Sequence, residues 1–197
     1  VSQVELKQYA AAVKSLTAAL AADAHWRQAG ETWLLLAHAY RQRNDLTNAR
    51  TSLVKMIAQL PGSPRLDQAH ARLGEYSYAA GDYRAAAKAY QVLLTRWPQS
   101  PLAPQALHEL GCAQLNLQDA QTAEQTLSRL LEKHPQHALA SPARYARAMA
   151  RHQLQKLAPA VEDLQAVLAG PAQGAGKSDA RYLLGLCYMG LKQYAKA

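Results

Sequence analysis

Residues 69–98 read AHARLGEYSYAAGDYRAAAKAYQVLLTRWP, and this stretch decides the fold. Apolar residues recur at helical spacing in its first half, stop at Gly81-Asp82, and resume at the same spacing in its second half. The stretch therefore predicts two amphipathic helices joined by a tight turn. The first stripe comprises Ala69, Leu73, Tyr76 and Ala80, and the second comprises Tyr83, Ala86, Tyr90, Leu93 and Leu94.

The rest of the chain repeats this hairpin pattern every 37 residues. Alanine recurs at this offset from Ala12 through Ala49 and onward to Ala197. A period that holds in apolar, small, proline and acidic columns together is typical of a repeat protein. The clearest columns are Leu36, Leu73, Leu110 and Leu184; Ala37, Gly74, Gly111, Ala148 and Gly185; Pro61, Pro98 and Pro135; and Asp45, Asp82 and Asp119.

Local signals predict where the helices begin and end. The aspartates follow the break in each unit, where a short carboxylate accepts from the free amides of a first helical turn. The prolines end the second helix, and the Ser-Pro steps after them suit a loop before the next helix. The first helices are predicted near 30–43, 67–80, 104–117, 141–154 and 178–190. The second helices are predicted near 9–22, 46–60, 83–96, 120–133 and 157–169.

These helices group into a partial unit over 1–24, units near 30–62, 67–99, 104–136 and 141–172, and a partial unit over 178–197. Both ends cut through a unit: Val1, Val4 and Leu6 continue the stripe of a first helix, and Ala197 stops just inside a second one. An open end leaves an apolar face without a neighbour. We therefore expect an excerpt of a longer protein, or ends that self-associate with another chain.

The repeat resembles the tetratricopeptide repeat (TPR) in its Leu-Gly step, the Gly and Tyr at its turn, the following Ala and aromatic residue, and its closing Pro. The resemblance implies an all-α fold: a right-handed α-solenoid of antiparallel helix hairpins, as a single array over 1–197. The longer Pro-rich loop over 97–103 is similar to that of bacterial envelope members, such as outer-membrane assembly lipoproteins and periplasmic coordinators of cell-wall synthesis. That likeness favours the periplasm or cell envelope, with the cytoplasm as the alternative. The residues that carry the resemblance are Leu73, Gly74, Gly81, Tyr83, Ala86, Tyr90 and Pro98.

Composition excludes several classes of protein. Among 197 residues, 49% are hydrophobic and 18% charged, so the chain is neither disordered nor fibrous. No apolar run is long enough to predict a transmembrane helix. The net charge of +8 favours acidic partners in a general way. Cys112 and Cys187 stand far apart in no metal-binding spacing, so both are predicted to be free, largely buried thiols.

Two local motifs carry a possible chemistry. Residues 170–178 end in the Gly-Lys-Ser of a phosphate-binding loop, but Pro171 stands where that motif has Gly, and a helix precedes it instead of a strand. The preferred interpretation is an inter-unit loop with Ser178 as the N-cap of the next helix. His108 and Cys112 lie one helical turn apart, but two ligands without a third make a weak metal site. No metal, cofactor or catalytic residue is predicted.

The resemblance implies a binding face, because in TPR proteins the first helix of each hairpin lines a concave groove that holds a peptide or a partner helix. Aromatic, His and Arg side chains mixed with apolar ones suit such recognition. The alternative is that several of them only complete the packing between units. The family's carboxylate clamp is absent, since its Lys and Asn positions hold other residues. The implied face comprises Leu34, His38, Arg41, Arg72, Glu75, Tyr78, His108, Glu109, Cys112, Tyr145, Met149, His152, Tyr182 and Leu186.

The fourth unit departs from the pattern at Arg144, Arg147 and Arg151: the first two columns supply leucine in other units, and the third holds a mostly polar or aromatic residue. Burying three unpaired guanidinium groups would cost many kcal/mol. We therefore predict a local shift that buries Tyr145 and its neighbours Ala148 and Met149 and turns the arginines outward as one stripe. Such a stripe would meet an acidic partner, phosphate or nucleic acid, or would simply be a solvated helix face.

These observations favour a non-enzymatic scaffold that binds protein or peptide partners through its groove. Nucleic-acid binding is the first alternative, although cations and acids are interleaved in every unit and no RNA-binding motif is present. The second alternative is that the array recruits substrate for a larger enzyme.

Overall fold

A computed structural model of the protein describes residues 3–170 and 175–196. In those residues every regular element is helical, and consecutive helices over residues 3–96 and over residues 103–190 pack against one another as hairpins. The fold class is therefore the predicted all-α solenoid of helix hairpins. The helices are α1 (Gln3–Ala22), α2 (Ala29–Gln42), α3 (Leu46–Gln59), α4 (Leu66–Ala79), α5 (Tyr83–Arg96), α6 (Ala103–Asn116), α7 (Ala120–Lys133), α8 (Ala140–Gln153), α9 (Leu157–Ala169) and α10 (Ala175–Gly190), followed by a 3-10 turn (Tyr194–Lys196).

The helices form two compact units, Val1–Leu102 and Ala103–Ala197. In the first unit, the core includes Leu53 and Met56, which no solvent reaches, with Trp33 and Tyr76 packed around them. In the second unit, Leu164 and Cys187 are equally buried in a cluster between α8, α9 and α10. The larger buried residues in each core come from both helices of a hairpin, so each hairpin buries its two facing stripes.

The turn inside each hairpin has one geometry, repeated at the same period as the sequence. Asp45, Asp82 and Asp119 are N-caps, as predicted: each carboxylate accepts from the amide three residues later, at 3.0–3.1 Å. The residue before each cap has a positive φ, which closes the preceding helix in the left-handed conformation. Only one of these residues is a glycine, and sequence reasoning did not anticipate the others. They are Asn44, Gly81, Gln118, Gln155 and Lys192, with φ between 58° and 76°.

A small residue of the first helix packs against a large residue of the second helix in every complete hairpin. Gly74 and Gly111 leave room for Tyr90 and Leu127, respectively. The two other hairpins have alanine and leucine at these places, and all four side chains are fully buried. They are Ala37 with Leu53, and Ala148 with Leu164.

Two predictions about the chain were wrong in detail. The region predicted as the end of one helix and the start of another is the single helix α1. The residue pair alone does not explain the difference, since Lys7-Gln8 is the same pair as Lys192-Gln193, where a turn with a left-handed Lys192 follows α10. Ser178 is not an N-cap, since α10 already begins at Ala175. The other helix ends lie within a residue or so of the predicted ones. Residues 171–174 of the phosphate-loop match lie outside the described residues.

Candidate peptide-binding face

The predicted binding residues all lie on the first helices of the hairpins, α2, α4, α6, α8 and α10, at positions that are equivalent under the repeat. They form one stripe on each helix, because apart from the adjacent pair His108-Glu109 their spacings are three or four residues. Glu75 and Tyr182 are exposed, Tyr182 by 71%, and the other members of the face apart from Leu34 are half-buried. Leu34 is the exception in the implied set: it is 5% exposed and belongs to the core. Half-burial orders these side chains and still leaves surface for a partner.

In the first unit, the charged members of the face gather around the hydroxyl group of Tyr76. Nη1 of Arg72 lies 3.5 Å from this oxygen. Burial raises the pKa of Tyr76, and the charge of Glu75 adds to that rise, while Arg72 and Arg41 oppose it. Arg41 of α2 and the α4 residues Arg72 and Glu75 therefore all affect the pKa of the same hydroxyl group. Sequence reasoning placed Tyr76 in the core stripe and missed that its hydroxyl faces this charge cluster.

The aromatic members in the first unit are held by neighbouring rings. His38 meets Tyr9 of α1 edge-on, with ring centroids 6.4 Å apart, and Nε2 of Gln42 lies 3.4 Å from its Nε2. Tyr78 meets Tyr83 edge-on at 5.0 Å, across the turn between α4 and α5. Edge-to-face pairs at these distances are favourable. Both side chains are thus positioned before any partner arrives.

In the second unit, α6 presents an imidazole and a thiol in contact. Nε2 of His108 lies 3.8 Å from Sγ of Cys112, and Nδ1 lies 3.8 Å from a carboxylate oxygen of Glu109. Contact with Cys112 and Glu109 raises the pKa of His108, although burial opposes the rise. Nδ1 is buried and has no hydrogen-bond partner, since 3.8 Å is an ion-pair distance and not a hydrogen bond. Among the described residues, no three His, Cys, Asp or Glu side chains come close enough to hold a metal ion.

The α8 members of the face take part in the core as well. Tyr145 and Met149 are half-buried and pack against the cluster that contains Ala148 and Cys187. Burial raises the pKa of Tyr145, and the charge of Asp179 on α10 adds to the rise. The predicted burial of Ala148 is confirmed at 0% exposure. Tyr145 and Met149 are only partly covered, so they remain candidates for partner contact.

The prediction that the arginines of α8 turn outward as one stripe is wrong. Arg147 forms a bidentate pair with Asp163 of α9, at 2.7 and 2.9 Å, and donates to Ser128 of α7 at 3.1 Å. Arg151 donates to Glu124 of α7 at 3.1 Å and to the same Asp163 at 2.9 Å. These side chains fill the seam between α7, α8 and α9. Both guanidinium groups are therefore largely covered by the protein and paired with acids, and they do not point into solvent. Arg144 is half-buried and lies outside this network.

The acids of this seam are as buried as the arginines. The Asp163 side chain is 5% exposed and Glu124 14%, against 17% for each arginine. Burial alone would raise the pKa of Glu124, but the hydrogen bonds and charges of Lys156 and Arg151 outweigh it and lower the pKa. Lys156 reaches Glu124 at 2.6 Å from the start of α9. Two acids and three cations thus hold α7, α8 and α9 together.

Sequence reasoning missed this network because it compared arginines only with their own columns. Asp163 stands in a column whose other members are Ser15, Ser52, Ala89 and Thr126, so an acid enters the second helix in the same unit in which arginines enter the first. That paired departure was the available signal. It would have predicted a buried ion pair in place of an exposed stripe.

Comparisons with known families divide the chain in two overlapping stretches. Residues 71–173 match the profile of the YfiO family, described as outer membrane lipoprotein. Residues 3–73 match a profile of the tetratricopeptide repeat. The first of these stretches spans just over half of the chain. A search of curated protein sequences finds no match.

Solved structures of repeat proteins are similar to the chain in fold. BtubC from P. vanneervenii is 16% identical, with a TM-score of 0.74 over 99% of this chain and 86% of its own. MamA from Desulfovibrio magneticus RS-1 is 15% identical, with a TM-score of 0.72 over 84% and 87%. YrrB, described as a TPR protein with an unusual peptide-binding site, is 18% identical, with a TM-score of 0.72 over 93% and 87%. No helix in the described part of the chain is both long and apolar enough to cross a bilayer.

Proposed function

Because the chain belongs to the tetratricopeptide-repeat proteins and to the outer membrane lipoprotein family, we propose that it is a non-enzymatic scaffold that binds peptide segments of partner proteins. The observation that carries the proposal is the recurrence of half-buried aromatic, His and Arg side chains at equivalent positions of the first helices. The family description favours a place in the bacterial envelope.

The proposed mechanism is positioning. The side chains of the face are held by the pairs and ion contacts described above, so little order is lost from them when a partner binds. Most of the ordering then falls on the partner segment. A preformed face of this kind gives an affinity that depends on a few central side chains, with aromatic and Arg residues contributing most.

The chemistry of the face differs between the two compact units. In the first, Arg41 and Arg72 suit a partner carboxylate, and Glu75 suits a cation beside it. In the second, Tyr145, Met149 and the exposed Tyr182 suit apolar or aromatic side chains, with His108 as a half-buried polar group. A partner segment of alternating charged and apolar character fits either part.

The pairing of Arg147 and Arg151 disfavours nucleic-acid binding, the first alternative. These two guanidinium groups belong to the arginine stripe that prompted this alternative, and they pair with Asp163 and Glu124. Phosphate contacts need cations that can exchange their counterions for the backbone. A peptide partner is therefore the better occupant.

The test begins with peptides selected from a display library on the immobilised chain, whose affinities are then measured by fluorescence anisotropy. The variant Arg41→Glu/Arg72→Glu should weaken peptides that bind the first unit by about tenfold or more, as expected for central Arg residues. The control Arg27→Glu/Arg84→Glu makes the same charge change at exposed positions off the face. It should change the affinity by less than about twofold.

For peptides that bind the second unit, Tyr145→Ala/His152→Ala is the corresponding variant. Circular dichroism of every variant verifies that it is folded. The proposal fails if no peptide is selected, or if the control variants weaken binding as much as the face variants do.

A further inference from the structure

A cavity of about 670 Å³ lies in the first compact unit, between α3 and α5 and above α4. Its α4 lining is His70, Leu73 and Ser77, which form one stripe of that helix. The binding face uses Arg72, Glu75 and Tyr78 of α4, and helical spacing puts these on the opposite side. The cavity is therefore separate from the face on which the proposed function rests.

The cavity exists because small residues stand where the second compact unit has long ones. Two periods later, the equivalent space between α7, α8 and α9 is filled by the Arg147–Arg151–Asp163 network. Ser77 corresponds to Arg151, and Ala89 to Asp163, so the side chains that would fill the space are missing. The equivalent space is thus filled by charged side chains in the second unit and open in the first.

The walls of the cavity are cationic. α3 and α5 contain no Asp or Glu within their bounds, and they carry the cations Arg50, Lys55, Arg84, Lys88 and Arg96. Arg50 pairs at 2.6 Å with Asp82, the cap of α5. Lys55 and Lys88 line the cavity, and no described carboxylate pairs with either. An anion entering here would meet two cations that have no competing partner.

The floor of the cavity carries two polar groups without partners. Oγ of Ser77 and Nδ1 of His70 are buried and make no hydrogen bond in the described structure. A buried polar group left unpaired is costly and usually has a partner. Burial and the charge of Arg96 lower the pKa of His70, so the ring is neutral near pH 7 and offers one donor and one acceptor.

The remaining lining is apolar and partly open to solvent. Leu73 and Val92 line the space, and Val54 is 54% exposed beside it. An exposed valine next to unpaired lysines suits an amphipathic occupant better than a simple ion. The volume lies in the range of sites that hold a ligand of moderate size.

We propose that this cavity is a second binding site, which takes an acidic peptide segment of a partner protein. A Glu or Asp side chain of that segment enters between Lys55 and Lys88 towards Ser77 and His70. An apolar side chain next to it packs on Val54. A peptide side chain is the matching occupant because protein side chains fill the equivalent seam between α7 and α9.

The test uses a fluorescein-labelled synthetic peptide of alternating Glu and Leu, with the matching Gln and Leu peptide as the uncharged probe. We expect the acidic peptide to bind and its affinity to fall as salt is added. Lys55→Glu/Lys88→Glu should weaken it by about tenfold or more. Val54→Trp, which blocks the mouth from an exposed position, should weaken it as well. Lys55→Gln/Lys88→Gln gives a smaller loss and serves if the reversal variant does not fold.

Two controls keep this site distinct from other causes. Arg129→Glu/Lys133→Glu makes the same charge change at exposed positions of α7 and should leave the affinity within about twofold. Arg41→Glu/Arg72→Glu, on the binding face, should also leave it unchanged. Equal binding of the Gln-containing peptide, or an equal loss in the α7 control, would overturn the proposal. A loss of affinity only in Arg41→Glu/Arg72→Glu would instead place the peptide on the binding face. That result would overturn the cavity site and leave the proposed function standing.

Discussion

Gly74 packs directly against the ring of Tyr90: a methyl group at residue 74 would lie 2.5 Å from Cε1 of that ring. The same relation recurs one period later, where a methyl group at Gly111 would lie 2.6 Å from Cγ of Leu127. Contacts this short cannot be formed without displacing the neighbour. Close approach of the helices therefore depends on a pair of residues, and not on the glycine alone.

Replacing Gly74 by alanine should destabilise the protein, although alanine is the better helix former. Overpacking in a well-packed core costs about 1–3 kcal/mol. We expect the urea midpoint of Gly74→Ala to fall accordingly. The double variant Gly74→Ala/Tyr90→Leu recreates the Ala37–Leu53 combination that the chain already uses, and should recover most of the loss. Gly62→Ala, where no atom lies within 4 Å of the added carbon, serves as the control.

The hairpin turns carry a removable strain. Gln118 and Gln155 have φ of 61° and 58° at the position where another turn has Gly81. A left-handed conformation costs a residue with a side chain about 1 kcal/mol. We expect Gln118→Gly to raise the free energy of unfolding by up to that amount, and Gly81→Ala to lower it by a similar amount. Thermal melts should show a higher melting temperature for Gln118→Gly and a lower one for Gly81→Ala, and changes of the same sign would contradict the prediction.

Asp163 is the acid that both buried arginines share, so its removal should be severe. Asp163→Asn leaves two guanidinium groups without their common carboxylate, and breaking a buried pair costs about 3–5 kcal/mol. The exposed pair Arg65–Glu31, at 3.2 Å with side chains 42% and 51% exposed, gives the comparison. Glu31→Gln should cost no more than about 0.5 kcal/mol. Similar losses in denaturant unfolding of the two variants would contradict the importance of burial.

Glu124 makes part of the stability depend on pH. Its pKa is lowered from the ordinary value of 4.5, so its contribution is fully present above that pH. The contribution is lost as the pH falls through the lower pKa of the folded state, because the unfolded chain takes up the proton first. We expect the difference in urea midpoint between the native protein and Glu124→Gln to be constant from pH 7 to 5 and to shrink in acid. A difference that grew on acidification would reverse this sign.

The two cysteines should differ in reactivity. Cys187 is fully buried, and burial raises the pKa of its thiol, which lowers its thiolate fraction. Cys112 is half-buried and touches His108. We expect one thiol to react rapidly with a maleimide in the folded protein, and both to react in denaturant. Mass spectrometry of the labelled peptides identifies which one; rapid labelling of Cys187 in the folded state would be the contrary result.

Features set by neighbours in the chain could be predicted from the sequence, whereas features set by a distant partner could not. The caps Asp45, Asp82 and Asp119 depend only on the turn that follows them, and their hydrogen bonds are as expected. The orientation of Arg147 depends on Asp163, which is on another helix, and the prediction failed there. The cavity beside Ser77 depends on the sizes of side chains from three helices together. Comparing residues at one position of the repeat therefore does not predict it.

Two hairpins of the second unit are joined by the pair Glu124–Lys156, whose charges are the reverse of those in the equivalent pair Arg50–Asp82 of the first unit. Lys156 stands where the preceding units have a capping Asp, makes no cap, and instead holds Glu124 of the previous hairpin. Loss of one whole period before residue 104 would leave that pair intact. Loss of residues 104–140 would bring Ala87 to the place of Glu124, leaving Lys156 without its acid and Arg151 with Asp163 alone. The contact between α7 and α8 therefore depends on the order of the repeats. Gain or loss of a hairpin by recombination should cost more stability across this contact than upstream of it.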